Sequence, residues 1–89
     1  MDTGKFRTFL ENTVVCFGLN TQEDREHYIA LCQLGLTDTE LPWELKGTPA
    51  EKYWSDAITL IESEDATAAP KIRDLLEKIL RYMAAVGIG

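Results

Sequence analysis

Positive charge is scarce in this chain, and so are long apolar runs. Nine lysines and arginines stand against fifteen aspartates and glutamates, leaving a formal net charge of −6. A nucleic-acid partner needs a basic stripe that displaces counterions from phosphates, and no such stripe is present. An anionic membrane surface is disfavoured on the same ground. No apolar stretch approaches the roughly 20 residues of a membrane-spanning helix. The first residues, Met1-Asp2-Thr3-Gly4-Lys5, contain no apolar core of a signal peptide, so a cytoplasmic location is expected.

Metal ligands and nucleophiles are equally sparse. His27 is the only histidine, and the two cysteines, Cys16 and Cys32, lack a CxxC spacing. Together they fall short of the four ligands of a structural zinc site. Both cysteines lie in apolar helical patterns and are expected to be buried reduced thiols, with a disulfide as the alternative. Glu23 precedes His27 by one helical turn, an ordinary exposed pair as well as a way to orient a base. Cys32 follows His27 by five residues, about 500° of helix, so the two point some 140° apart. The acidic group Glu62, Glu64 and Asp65 lacks the alternating ligands and central glycine of a calcium loop and reads as a solvated turn.

Phosphate-binding, dinucleotide-binding, zinc-protease and serine-hydrolase motifs are all missing. An acyl carrier protein would need Asp-Ser-Leu at a helix start. The nearest stretch, Leu36-Thr37-Asp38-Thr39-Glu40-Leu41, has no serine, and Ser55 and Ser63 stand in other contexts. The expectation is a non-enzyme with no cofactor and no small-molecule substrate.

What the chain does have is helix punctuation. Its 89 residues suit one domain spanning 1–89, and 45% hydrophobic with 27% charged residues is a folding composition. Thr48-Pro49-Ala50-Glu51 combines a side-chain cap, a proline at the position that needs no N–H, and a capping-box glutamate. Gly47 can close the segment before it.

Helix 1 is expected from Thr3 or Gly4 to Phe17, burying Phe6, Phe9, Leu10, Val14 and Phe17, with Gly18 as its stop. Helix 2 is capped by Asn20 or Thr21, has Glu23 and Asp24 in its first turn, and buries Tyr28, Leu31, Cys32 and Leu34. Gly35 is expected to end it in the left-handed conformation. A capping box over Thr37 to Glu40 starts a third helix, which Pro42 keeps short, ending near Lys46. Helix 4 runs from Pro49 to Glu62 and buries Tyr53, Trp54, Ala57, Ile58, Leu60 and Ile61. A connector from Ser63 to Ala69 follows. Helix 5 runs from Pro70 to Val86, with Ile72, Leu76, Ile79, Met83 and Val86 alternating at four and three residues and Leu75 and Leu80 widening the stripe. Two heptads suit a helix that completes a core better than a free coiled coil. The fold class is all-α, a compact bundle of five helices, or six if the stretch around Pro42 splits.

Surface charge is segregated. Glu23, Asp24 and Glu26 outnumber Arg25 at the start of helix 2, whereas Lys71, Arg73, Lys78 and Arg81 outnumber Asp74 and Glu77 on helix 5. Opposite patches of this kind suit head-to-tail contact between helical domains, with Lys71 and Arg73 meeting the acids. Mixed charge is also how helices stay solvated. Trp43, beside Pro42, is either an aromatic anchor for a partner or a plug of the bundle.

The segments Tyr28-Ile29-Ala30-Leu31-Cys32, Leu34-Gly35-Leu36, Glu40-Leu41-Pro42, Gly47-Thr48-Pro49 and Asp56-Ala57-Ile58-Thr59-Leu60-Ile61-Glu62, with the leucine-rich helix around Leu75-Leu76, resemble the bacterial effector-associated domains. The resemblance covers about two thirds of the chain. The tryptophan-alanine or glycine signature after the Leu-Ile helix is missing, and the linker 63–69 is longer than that family's pattern. The resemblance implies a death-domain-like fold and a non-catalytic adaptor, one module of a larger protein. Such an adaptor couples effectors and sensors of prokaryotic conflict or immunity systems through homotypic or heterotypic helical-domain contacts. The alternative is a free-standing small acidic protein that binds and regulates or inhibits another macromolecule.

Overall fold

The computed structural model describes residues 3–15, 18–36 and 39–87. Among these, the chain forms four α-helices: α1 (Thr3–Val15), α2 (Gln22–Leu36), α3 (Pro49–Glu62) and α4 (Ala69–Val86). Two single 3₁₀ turns, Trp43–Leu45 and Ala66–Ala68, link them. The all-α class stands, but the expected five or six helices are four. The third helix is replaced by one 3₁₀ turn, because Pro42 is buried in extended conformation at its start and Lys46 is extended at its end. Thr37 and Asp38, which open the expected capping box there, lie outside the described residues, as do Cys16 and Phe17.

α1 inserts Phe6, Phe9 and Leu10 into the interior. Phe6 and Phe9 both meet Trp54 of α3 edge-on, at centroid distances of 5.0 and 6.0 Å, the arrangement that aromatic quadrupoles favour. Thr13 is buried with them, its hydroxyl bonding back to the Phe9 and Leu10 carbonyls at 2.9 and 3.0 Å, so this hydroxyl is not stranded.

α3 and α4 form an antiparallel hairpin. Tyr53, early in α3, lies under the Lys78 ammonium late in α4 at 5.7 Å, while Leu60 and Leu75 share a cleft nearer the connection. On α4, Ile72, Leu75, Leu76, Ile79 and Met83 are buried in the chain's own core, so the seam read from the sequence is already occupied. Val86, expected to continue it, is half exposed one residue before Gly87 ends the helix at φ 76°.

Three further expectations on α2 and α3 are revised. Gly35 does not end α2 in the left-handed region; it lies inside the helix, where a Cβ would overlap Cδ1 and Cε1 of the Phe9 ring. The glycine is there to let α1 approach. Leu34, expected in the core, is 72% exposed. Thr48 flanks α3 as expected, but its hydroxyl donates to the Leu45 carbonyl and makes no cap to α3. Glu51 reaches back to accept the Gly47 N–H at 3.2 Å, one residue before the position a capping box would serve, and Gly47 takes φ 80° to allow it.

Candidate protein-binding groove

The groove lies between one flank of α2 and the end of α3. On α2, Glu26, Ile29, Gln33 and Leu36 follow at intervals of three, four and three residues, which stacks them on one side of the helix. Facing them, α3 terminates in a tight reversal. Ser63 closes the last turn through its N–H to Thr59 O at 3.1 Å and its hydroxyl to Leu60 O at 2.6 Å. Glu64 follows at φ 57°, the only non-glycine at positive φ among the described residues, in the place where helices usually carry glycine.

Asp65 then starts the second 3₁₀ turn. Its Oδ1 accepts from the Thr67 hydroxyl at 2.7 Å and the Thr67 N–H at 3.0 Å, and these two bonds, the hydroxyl first, hold its carboxyl below the usual aspartate range. This turn buries Ala66 beside α2. The Gln33 amide crosses to the Ile61 carbonyl at 3.4 Å and joins the two walls.

Two adjoining clefts result, sharing Gln33 and Glu64. One is completed by Glu26, Ile29 and Ala66, the other by Leu36, Ile61 and Glu62. Ile29, Ile61 and Ala66 form a buried apolar floor with half-buried Leu36, and exposed Glu26, Glu62 and Glu64 form the rim. Exposed Ala30 and Leu34 stand one turn apart on α2, and Leu34, about 200° around the helix from Leu36, faces away from the groove. The structure thus unites two acidic groups that the sequence presents 36 positions apart. Glu62 and Glu64 are exposed, in keeping with the solvated turn read from the sequence.

The residues singled out for partner contact divide. Glu23 and Glu26 are exposed on α2, and Glu26 belongs to the groove. Asp24 is half-buried in the first turn, where its N–H is capped by the Thr21 hydroxyl at 3.0 Å. Lys71 is exposed in a separate cleft with Asp56, Thr59, Leu60 and Leu75. Leu60 and Glu62 are about 200° apart around α3, so that cleft lies on the opposite flank from the groove. Arg73 is half-buried on α4. The neighbouring cations Lys78 and Arg81 pair with Asp74 and Glu77 one turn away, which narrows the basic patch.

Trp43 is 73% exposed: Pro42 and Leu45 fill the interior there, and Trp43 is turned outward. Thr3 Oγ1 donates to Glu44 Oε2 at 2.9 Å and ties this turn to the start of α1. His27 is exposed while Cys32 is fully buried, so the helical offset read from the sequence separates imidazole from thiol as expected.

The full groove is absent from the sequence reading. The available signal was the Glu26-Ile29-Gln33-Leu36 stripe, a second face beside the one carrying Tyr28 and Cys32. Among the described residues no group of three or more histidine, cysteine, aspartate or glutamate side chains is placed to hold a metal ion, and no helix is long and apolar enough to cross a membrane. Comparison with family models, curated proteins and solved structures gives no match for this chain.

Proposed function

We propose that this chain is a non-catalytic protein–protein interaction domain, an adaptor that couples partner proteins through helical surface contacts. The observation that carries this reading is α2, which leaves Leu34 and Ala30 exposed on one side and on another lines an apolar-floored groove with a charged rim. Leaving a leucine in water forgoes about 1.5–3 kcal/mol of burial, which a partner surface recovers. The groove is open along its length and suits a protein surface better than a substrate that has to be enclosed on most sides. Trp43 supplies a second exposed apolar contact, of the residue type that most often anchors interfaces. The resemblance to bacterial effector-associated domains supports a role for such an adaptor in a prokaryotic conflict or immunity system.

The test is site-specific photocrosslinking in living cells, with the reactive residue introduced at Leu34, at Trp43 or at exposed Ala84 on α4. A protein adduct of defined mass from position 34 or 43, absent from position 84, is the expected result. No adduct from any position, or the same smear from all three, overturns the reading.

A further inference from the structure

The rim and the floor of the groove ask for different chemistry in one occupant. Glu26, Glu62 and Glu64 set three exposed carboxylates around Ile29, Leu36, Ile61 and Ala66. A cationic group complements these exposed carboxylates, and half-buried Leu36 gains further burial when a hydrocarbon side chain enters beside it. The Gln33 bond to Ile61 O, at 3.4 Å, is long enough to be exchanged for a bond to an incoming group.

A second copy of this chain is a poor occupant. Each copy has a net charge of −6. Among its cations, Arg7, Lys78 and Arg81 pair with carboxylates one turn away, Arg25 is bonded to the Leu19 carbonyl at 3.0 Å, Lys71 shares its cleft with Asp56, and exposed Lys5, Lys46 and Lys52 are scattered over three different segments. Anionic lipid is repelled by the same rim. A groove walled by helices takes the face of another helix, and the α2 wall from Glu26 to Leu36 is about 15 Å long, between two and three turns.

Resting on the interaction reading above, we infer that the groove between α2 and the α3 terminus docks a cationic amphipathic helix of another protein. Its leucine-like side chains lie over Ile29, Leu36 and Ile61, and its lysines or arginines reach Glu26 on one side and Glu62 and Glu64 on the other. The contact is salt-sensitive because the rim is solvent-exposed.

The probe is a capped 14-residue leucine–lysine peptide with helical periodicity, titrated into the ¹⁵N-labelled full chain and followed by two-dimensional NMR. Controls are a scrambled peptide of the same composition and a leucine–glutamate peptide of the same pattern. The expected shifts concentrate on residues 26–36 and 61–66 and on the Gln33 side-chain amide, with the scrambled peptide at least tenfold weaker. The triple variant Glu26→Gln, Glu62→Gln, Glu64→Gln, with an otherwise native spectrum, weakens binding tenfold or more.

Equal binding of the glutamate peptide, or shifts centred on Trp43 or α4, overturns the inference. So does movement of the same resonances when the protein alone is concentrated, which would make a second copy the occupant. Peptide failure with the Leu34 crosslink intact rejects only the cationic helix, whereas loss of both rejects the interaction reading itself.

Discussion

α4 and α2 are similar in length but not in use. α4 has 18 residues and buries six of them, Ala69, Ile72, Leu75, Leu76, Ile79 and Met83. α2 has 15 and buries three, Tyr28, Ile29 and Cys32. The first helix, α4, buries its main apolar stripe in the core, leaving Val86 half exposed at its end, and its outer face is laced by one-turn ion pairs that solvate it. The second retains Ala30 and Leu34 in solvent and shares an open groove with the end of α3. In a small domain, where each buried side chain is a sizeable part of total stability, such unburied apolar surface marks the place to look for a partner.

The sharpest way to break this comparison is to truncate one leucine on each helix. Leu76→Ala should destabilise by about 2–5 kcal/mol, since the fully buried side chain leaves a cavity behind. Leu34→Ala should stay within about 0.5 kcal/mol of the parent, as exposed substitutions do. Urea unfolding with an unchanged slope measures both. A Leu34→Ala cost close to that of Leu76→Ala would show that α2 has no surface to spare.

Gly35→Ala should come next, at about 1–3 kcal/mol of destabilisation from overpacking. The added methyl overlaps the Phe9 ring, which is held edge-on against Trp54, and this outweighs the gain of up to about 1 kcal/mol that alanine brings inside a helix. In a Phe9→Leu background the overlap is removed, so Gly35→Ala should become neutral or stabilising. A double-mutant cycle read by thermal unfolding checks the coupling. Additive effects would show that the α1 contact does not explain the glycine.

How much of this was legible in the sequence depends on whether a residue's fate is decided locally. The α4 stripe was readable because five apolar positions repeat at helical spacing. It failed only at Val86, beside the helix end. The start of α3 was readable too, but its wiring was not. The Thr48 hydroxyl turns to the Leu45 carbonyl because the chain arrives from a 3₁₀ turn with carbonyls of its own to satisfy.

Gly35 shows the harder limit. Leucine followed by glycine is a helix-stop signal, yet what fixes this glycine is a ring 26 positions earlier, and no window along the chain contains both. The groove is hidden for the same reason. Glu26 and the 62–65 acids each look like ordinary solvated charge, and only the packing of α2 beside the α3 terminus gives them a common floor. Trp43 was open between anchor and plug, and the plug is excluded because Leu45 fills the interior instead.

A smaller effect than that of Gly35→Ala, and of opposite sign, is expected at the rim. Glu64 holds φ 57°, a conformation that costs an L-residue with a side chain roughly 1–2 kcal/mol and glycine almost nothing. Glu64→Gly relieves that cost but gives the unfolded chain more freedom, which takes back part of the gain. The net is a stabilisation of about 0.5–1 kcal/mol, or a Tm rise of about 2–8 °C for a domain of this size. Glu64→Gln keeps the backbone as it is and should leave Tm unchanged, so the pair separates strain from charge. If glycine stabilises the fold while both variants weaken the groove's hold on a cationic helix, then the glutamate sits there for the partner, at the expense of α3. A glycine variant no more stable than the parent would show instead that the reversal is held by the Ser63 and Asp65 hydrogen bonds alone, and the contrast between a core built for stability and a flank kept for binding would lose its clearest single residue.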